Sequence, residues 1–222
     1  MSTRPRIIFH VGGPDFHPTS EQAGHVVDWL GPDYACHKAD GLSAFEHLNE
    51  CDLLVLMGQW WTGFEGRYRS PSDVHRRSLE KYVHSGRPVL SAHSAISSYD
   101  DWPRFGELIG FTWVWGTTSH SLIAEHHVRI LPTRHPIIWG LSDYGIVDEL
   151  YYDIRISPGL EVTVHADAEW AGQRVPMVMT AEGGRIQGAG KTAYLANGHD
   201  MRAFECDELR KLWMNAVRWC LT

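Results

Sequence analysis

At six points along this 222-residue chain an apolar run gives way to a polar turn carrying side chains able to do chemistry. They are Gly12-Gly13-Pro14-Asp15-Phe16-His17, Gly58-Gln59-Trp60-Trp61, Ser91-Ala92-His93-Ser94-Ala95, Thr117-Thr118-Ser119-His120, Asp148-Glu149-Leu150-Tyr151 and Asn197-Gly198-His199-Asp200. A lone histidine at a strand end is more often a hydrogen-bonded structural residue than a ligand or a base. A set of them beside Glu149, all on loops of one sheet edge, reverses those odds. Metal centres gather neutral imidazoles and carboxylates from different elements, commonly in threes. No HExxH-like spacing occurs, so the order of residues alone names no metal class.

The elements that must position these residues read as alternating β and α. Arg6 to Val11 is a buried strand closed by Gly12-Gly13-Pro14. Thr19 to Gln22 has the pattern of a capping box, opening a helix with Val26, Val27, Trp29 and Leu30 on its apolar face. A short strand near Tyr34 to His37 follows, and Ser43 to Glu46 suggests a second capped helix ending near Asn49. Asp52 to Met57 is almost wholly apolar, as in parallel strands covered on both faces. Ser72 to Ser85 is a polar helix ended by Gly86, and Arg87 to Leu90 a further strand that stops at Ser91. This alternation predicts an α/β, flavodoxin-like, doubly wound and mainly parallel sheet flanked by helices, with ligands beyond the carboxyl ends of its strands.

The second half reads less regularly, with strand-like pieces near Val128–Leu131, Ile146–Tyr152, Leu160–His165, Pro176–Thr180 and Thr192–Leu195. Asp207 to Leu221 closes the chain as an amphipathic helix, with Leu209, Leu212, Trp213, Ala216, Val217 and Cys220 inward. With no repeat, low-complexity tract or linker, residues 1–222 read as one domain.

Composition narrows the function classes. A formal charge of −7 and the absence of any Lys/Arg-rich run argue against nucleic acid or an anionic membrane as partner. No apolar stretch suffices to span a bilayer and the amino terminus lacks a signal-peptide pattern, which together predict a cytoplasmic protein. The four cysteines, Cys36, Cys51, Cys206 and Cys220, lack CxxC or disulfide-framework spacing and read as reduced thiols. Protonating all 14 histidines would move the formal charge from −7 to +7; His47, His75 and His84, in polar helical stretches, read as chemically silent. Among the 10 tryptophans, Trp29, Trp213 and Trp219 lie on or beside helical core faces. Trp60, Trp61, Trp102, Trp113 and Trp115 fall near loops, where an indole can stack on the C–H face of a sugar ring; core filling is the better reading for any one of them. The aromatic-rich stretch Asp100 to Trp115 is open to two readings, a pocket lid or a surface between copies of the chain.

The segments GGPDFH, SAHSA, HPIIWGL, DELYY and GHD, in that order, resemble the trehalose-utilisation (ThuA-like) family over nearly the whole chain. The resemblance implies a scaffold similar to class I glutamine amidotransferases and a link to sugar catabolism, often beside oxidoreductases that make 3-keto sugars. The family's recurrent polar positions map onto His17, His93, Glu149 and His199. A departure is Gly58-Gln59-Trp60-Trp61-Thr62-Gly63, where family members often carry a glycine-rich or histidine-bearing stretch; it bears on substrate identity. In the amidotransferases a cysteine thiolate attacks from the strand-to-helix elbow. His93 occupies the equivalent turn here and no cysteine lies near it in sequence, so neither glutaminase nor cysteine-protease chemistry is expected.

The expectation drawn from these readings is a metal-assisted enzyme cleaving an oxidised (3-keto) glycoside. His17, His120 and His199 are assigned to a divalent transition metal (zinc, manganese, iron or nickel), Glu149 to the general base, and His93 to the acid or oxyanion partner. Asp15, Trp60, Trp61, Tyr151 and Asp200 are assigned to the sugar, and no nucleotide cofactor is called for. Two alternatives stand beside it: a non-catalytic sugar-binding or accessory partner of a sugar oxidoreductase, and a keto-sugar isomerase.

Overall fold

The apolar runs pair as the parallel half of a nine-stranded sheet in the computed structural model, which describes residues 4–183 and 186–222. Strands β1 (Arg6–Val11), β2 (Ala35–Asp40), β3 (Leu53–Leu56) and β4 (Val89–Ala92) alternate with helices α1 (Thr19–Leu30), α2 (Ser43–Glu46) and α3 (Asp73–His84). Next come α4 (Arg104–Ile109) and the short strands β5 (Phe111–Thr112) and β6 (Ser119–His120), then β7 (Ala124–Ile130) and β8 (Tyr144–Asp148). The chain ends with β9 (Tyr151–Tyr152), β10 (Arg155–Ile156), β11 (Thr163–Trp170), β12 (Gln173–Ala181), β13 (Thr192–Leu195) and α5 (Asp207–Cys220).

The sheet order is β2-β1-β3-β4-β13-β12-β11-β7-β8. Its first five strands are parallel. The remaining four continue antiparallel as a wing. Every residue of β3, β4 and β13 is buried, as strands covered on both faces require. Helix α5 buries Leu209, Leu212, Trp213, Ala216, Val217 and Cys220 as its periodicity predicts, and Trp219 as well. Each large apolar side chain in such a face stabilises the fold by about 1.5–3 kcal/mol.

Several local expectations are corrected. Thr19 does not cap α1: its hydroxyl is drawn to the loop after β1, accepting from Gly12 N at 2.8 Å and donating to Gly12 O at 3.2 Å. Ser43 donates to Asp40 O, and α2 is a single turn followed by a 3-10 turn at Leu48–Glu50. A true capping box forms at Ser72, where His75, read above as chemically silent, accepts from Ser72 N. The run Ile146–Tyr152 is two strands, β8 and β9, with Glu149 and Leu150 at the break. No helix among the described residues is long and apolar enough to cross a membrane.

Candidate active site

Beyond the carboxyl ends of the parallel strands, His17, His93, Glu149 and His199 converge; one ligand atom from each lies within 4.8 Å of all the others, and all four residues are buried. They come from four separate segments, following β1, β4, β8 and β13.

His93 begins the 3-10 turn His93–Ser97 directly after β4, with a φ of +41°, a conformation costly for any residue but glycine. Its Nδ1 donates to the Ala196 carbonyl at 2.7 Å, so in the neutral ring the lone pair sits on Nε2. That Nε2 is buried without a hydrogen-bond partner, 3.7 Å from Glu149 Oε2. An orphaned ring nitrogen of this kind costs stability unless something occupies the space before it.

His17 is brought in by the turn after β1. Gly13 there has φ +114°, and a Cβ on it would stand 2.4 Å from the Gln59 carbonyl oxygen, so only glycine allows the two loops to touch. A relay then fixes the imidazole. Ser97 Oγ donates to Ser94 O at 2.7 Å and accepts from Gln59 Nε2 at 2.9 Å, which turns Gln59 Oε1 toward His17 Nδ1 at 2.8 Å. Nδ1 is therefore the donor, and Nε2 offers its lone pair, 2.9 Å from His199 Nδ1.

Glu149 divides its two oxygens. Oε2 lies 3.1 Å from His199 Nδ1, while Oε1 lies 3.1 Å from His120 Nδ1, which also donates to Ser121 O at 2.8 Å. Asp148, one residue earlier, is 1% exposed and accepts from four N–H groups on residues 149 and 197–199.

The electrostatics follow from burial and from the carboxylates around the rings, Glu149 foremost. Burial, reinforced by the His93 and His199 rings, drives the His17 pKa down to about 2. Burial also disfavours the His199 cation, but the Glu149 carboxylate against it, with Asp148 and Asp200, raises its pKa above the usual histidine value. For Glu149 burial acts upward and is outweighed by the His199 N–H against Oε2 and by the neighbouring His93 and His199 rings, which hold the carboxyl well below its ordinary range. The cluster thus pairs one firmly ionised carboxylate with imidazoles of which two have fixed lone pairs. This is the donor chemistry a transition-metal ion takes, with the outer ring nitrogens tied to Ala196 and Gln59 as metal-bound histidines require.

The structure regroups the residues expected here. His17 and His199 stand in the convergent set, and His93 and Glu149, expected as acid and base, join them. His120, expected as a ligand, stands outside it, because Ser121 O and Glu149 hold its Nδ1. Its ring is half-exposed beside Trp113 and Tyr151. Trp60, expected at the sugar, is tied into the loops: its Nε1 donates to Val11 O at 3.0 Å and its ring packs where a Cβ on Gly12 or Gly41 would be. Trp61 stacks on Phe64 at 5.6 Å and beside Trp115, which is half-exposed. Tyr151 is buried with its ring 4.2 Å from His93, and so serves as a wall. Asp15 is exposed, and Asp200 is paired with Arg202.

Sequence reasoning missed Gln59 and Asp148 as site residues. A signal for Asp148 was present: Tyr144, Ile146 and Asp148 alternate inward along β8, so the acid had to be buried.

This combination defines a class, a flavodoxin-like α/β protein on the class I glutamine amidotransferase scaffold with histidine rather than cysteine at the elbow. The chain belongs to the trehalose-utilisation (ThuA) family, whose profile matches residues 18–220. A ThuA-like protein of Parabacteroides merdae is similar in structure, with a TM-score of 0.76 and 17% identity over 98% of this chain and 89% of its own. One from Bacteroides uniformis gives 0.74 and 18% over 99% and 93%. A glutamine amidotransferase of Thermotoga maritima gives 0.54 and 9%, each chain covered to 99%, a likeness of fold alone. No curated protein matches the chain in sequence. Family membership ties the protein to sugar metabolism.

Proposed function

We propose that this protein cleaves an oxidised (3-keto) glycoside at a metal centre formed by His17, His93, His199 and Glu149. The observation that carries the metal reading is the buried, unpartnered Nε2 of His93, in a set of four residues whose ligand atoms lie within 4.8 Å of one another. The sugar reading rests on the family. A divalent transition ion held there supplies Lewis acidity toward a ketone oxygen.

The chain's own residues would do the rest. His120 has a ring nitrogen to spare: Nδ1 is oriented by Glu149 and Ser121, leaving Nε2 for proton transfer. It takes the C2 proton made acidic by the adjacent C3 ketone, and the C–H electron pair passes into the enolate. The enolate then forms a C1–C2 double bond as the C1–O bond breaks, its electrons leaving with the aglycone oxygen, which takes up a proton. Water returns OH to C1 and H to C2, giving net hydrolysis. Trp61 and Trp115 offer faces for a sugar ring outside the cluster. Burial raises the thiol pKa of Cys36 and Cys51 to about 11 and of Cys220 to about 12, which supports a reading without thiolate chemistry.

The test is to offer the metal-loaded protein a 3-keto glycoside and its unoxidised parent, beside Glu149→Gln. Aglycone release from the keto form alone, abolished in the variant, is the expected result. Full activity of Glu149→Gln, or equal release from both compounds, would refute the scheme. An isomerised keto sugar without aglycone release would mark an isomerase, and ligand binding without product an accessory sugar-binding protein.

A further inference from the structure

We infer that Asp148 is the positioning residue that locks Glu149 to His199, joining the far edge of the sheet to its middle so that the four donors converge. The inference builds on the reading of those donors as a metal site.

The topology creates the need. Glu149 follows β8, the outermost strand, whereas His199 follows β13, and β12, β11 and β7 lie between them. No strand-to-strand ladder joins β8 to β13, so regular pairing cannot set the distance between these two side chains. The Asp148 carboxylate does it directly. Oδ1 accepts from Glu149 N and from His199 N, both at 2.9 Å. Oδ2 accepts from Gly198 N at 2.7 Å and from Asn197 Nδ2 at 3.0 Å. Asn197 Oδ1 in turn accepts from the Tyr144 hydroxyl, on β8, at 3.2 Å. Gly198, at φ +131°, supplies a backbone conformation rarely open to other residues and aims two successive N–H groups at one carboxylate.

Two consequences separate this role from coordination and from simple space filling. A carboxylate offers about four lone-pair directions, and all four are used, so Asp148 has none left for an ion. Each oxygen also faces at least one main-chain N–H that cannot turn away. An amide at this position therefore sets its NH2 against a backbone donor in either orientation, and the isosteric Asn must fail where a shape requirement would accept it.

The experiment titrates zinc against the wild-type protein, Asp148→Asn and Asn197→Ser by chelator competition, with circular dichroism as the check on folding. Long-range 1H–15N spectra report the His199 ring in each protein without metal. Asp148→Asn is expected to lower zinc affinity about 10–100-fold, the usual cost of removing an outer partner of a metal ligand. It should also shift the His199 ring signals, while Asn197→Ser gives a smaller loss in the same direction. A folded Asp148→Asn protein with unaltered zinc affinity and unaltered His199 signals would overturn the proposal. If Asp148→Asn does not fold, Asn197→Ser decides, and the absence of any loss in it is equally fatal. A wild-type protein that binds no zinc would remove the metal reading; Asp148 would then stand or fall on whether its substitution moves the His199 signals.

Discussion

His93 Nδ1 donates to the carbonyl of Ala196 at 2.7 Å, and this bond fixes the ring's orientation and leaves the lone pair of the neutral ring on Nε2. Ala196 immediately follows β13, the neighbour of β4 in the sheet, so two adjacent strands orient one imidazole and leave its Nε2 facing the other donors. His93→Ala is expected to lose bound metal, read as stoichiometry by elemental analysis, while the secondary structure measured by circular dichroism is kept. Undiminished metal in that variant would mean that His93 is no ligand.

Gln59→Leu removes the acceptor that holds His17 Nδ1 and leaves a buried N–H without a partner. That costs about 1–3 kcal/mol of stability, seen as a lowered urea midpoint. It should also weaken metal binding about 10–100-fold, because the ring is then free to turn.

His120→Ala separates proton transfer from ligation. Metal stoichiometry should stay at the wild-type level, since His120 lies outside the convergent set, while kcat on a keto-glycoside falls about 10²–10⁴-fold. Loss of metal in this variant would return His120 to the ligand sphere.

The two neighbouring tryptophans should respond differently. Trp60→Ala empties the space between Gly12 and Gly41 and breaks the bond to Val11 O, so it lowers thermal stability, toward the lower end of about 3–5 kcal/mol. Trp61→Ala leaves stability nearly unchanged and raises KM. The reverse pattern would make Trp60 the sugar contact.

Acid should unfold this protein early. Burial lowers the pKa of His10 to about 3 and, with His135 beside it, that of His165 to about 4. In the unfolded chain both titrate near about 6.5. Between those values the unfolded state binds protons that the folded state refuses, so stability falls as pH drops from about 6.5 toward 4, by up to about 1.4 kcal/mol per pH unit for each histidine. Urea midpoints measured across that range check the slope, which His10→Gln should flatten; a flat wild-type profile would contradict it.

Much of the fold was legible in the sequence. The runs at Arg6–Val11 and Leu53–Leu56 and the face of α5 carry their period and burial in residue type alone. The four turns that supply His17, His93, Glu149 and His199 were also visible, because each ends an apolar run with residues that the core cannot absorb. Thr19 and Ser43 have the pattern of caps but bond elsewhere, because a hydroxyl chooses among nearby backbone groups and the winner depends on loops that the local pattern does not describe.

What the sequence by itself determined is the inventory: a parallel α/β half and a ring of imidazoles and one carboxylate at its strand ends. The tertiary structure decided the roles. His93 became a candidate ligand and His120 its half-exposed neighbour through bonds to Ala196 O, Ser121 O and Glu149, all but Ser121 distant in sequence. Asp148 became the link between β8 and β13 for the same reason. A ring nitrogen or a carboxylate oxygen takes its function from the partner it meets, and meetings across 50 or 100 residues are set by how the strands are ordered in the sheet.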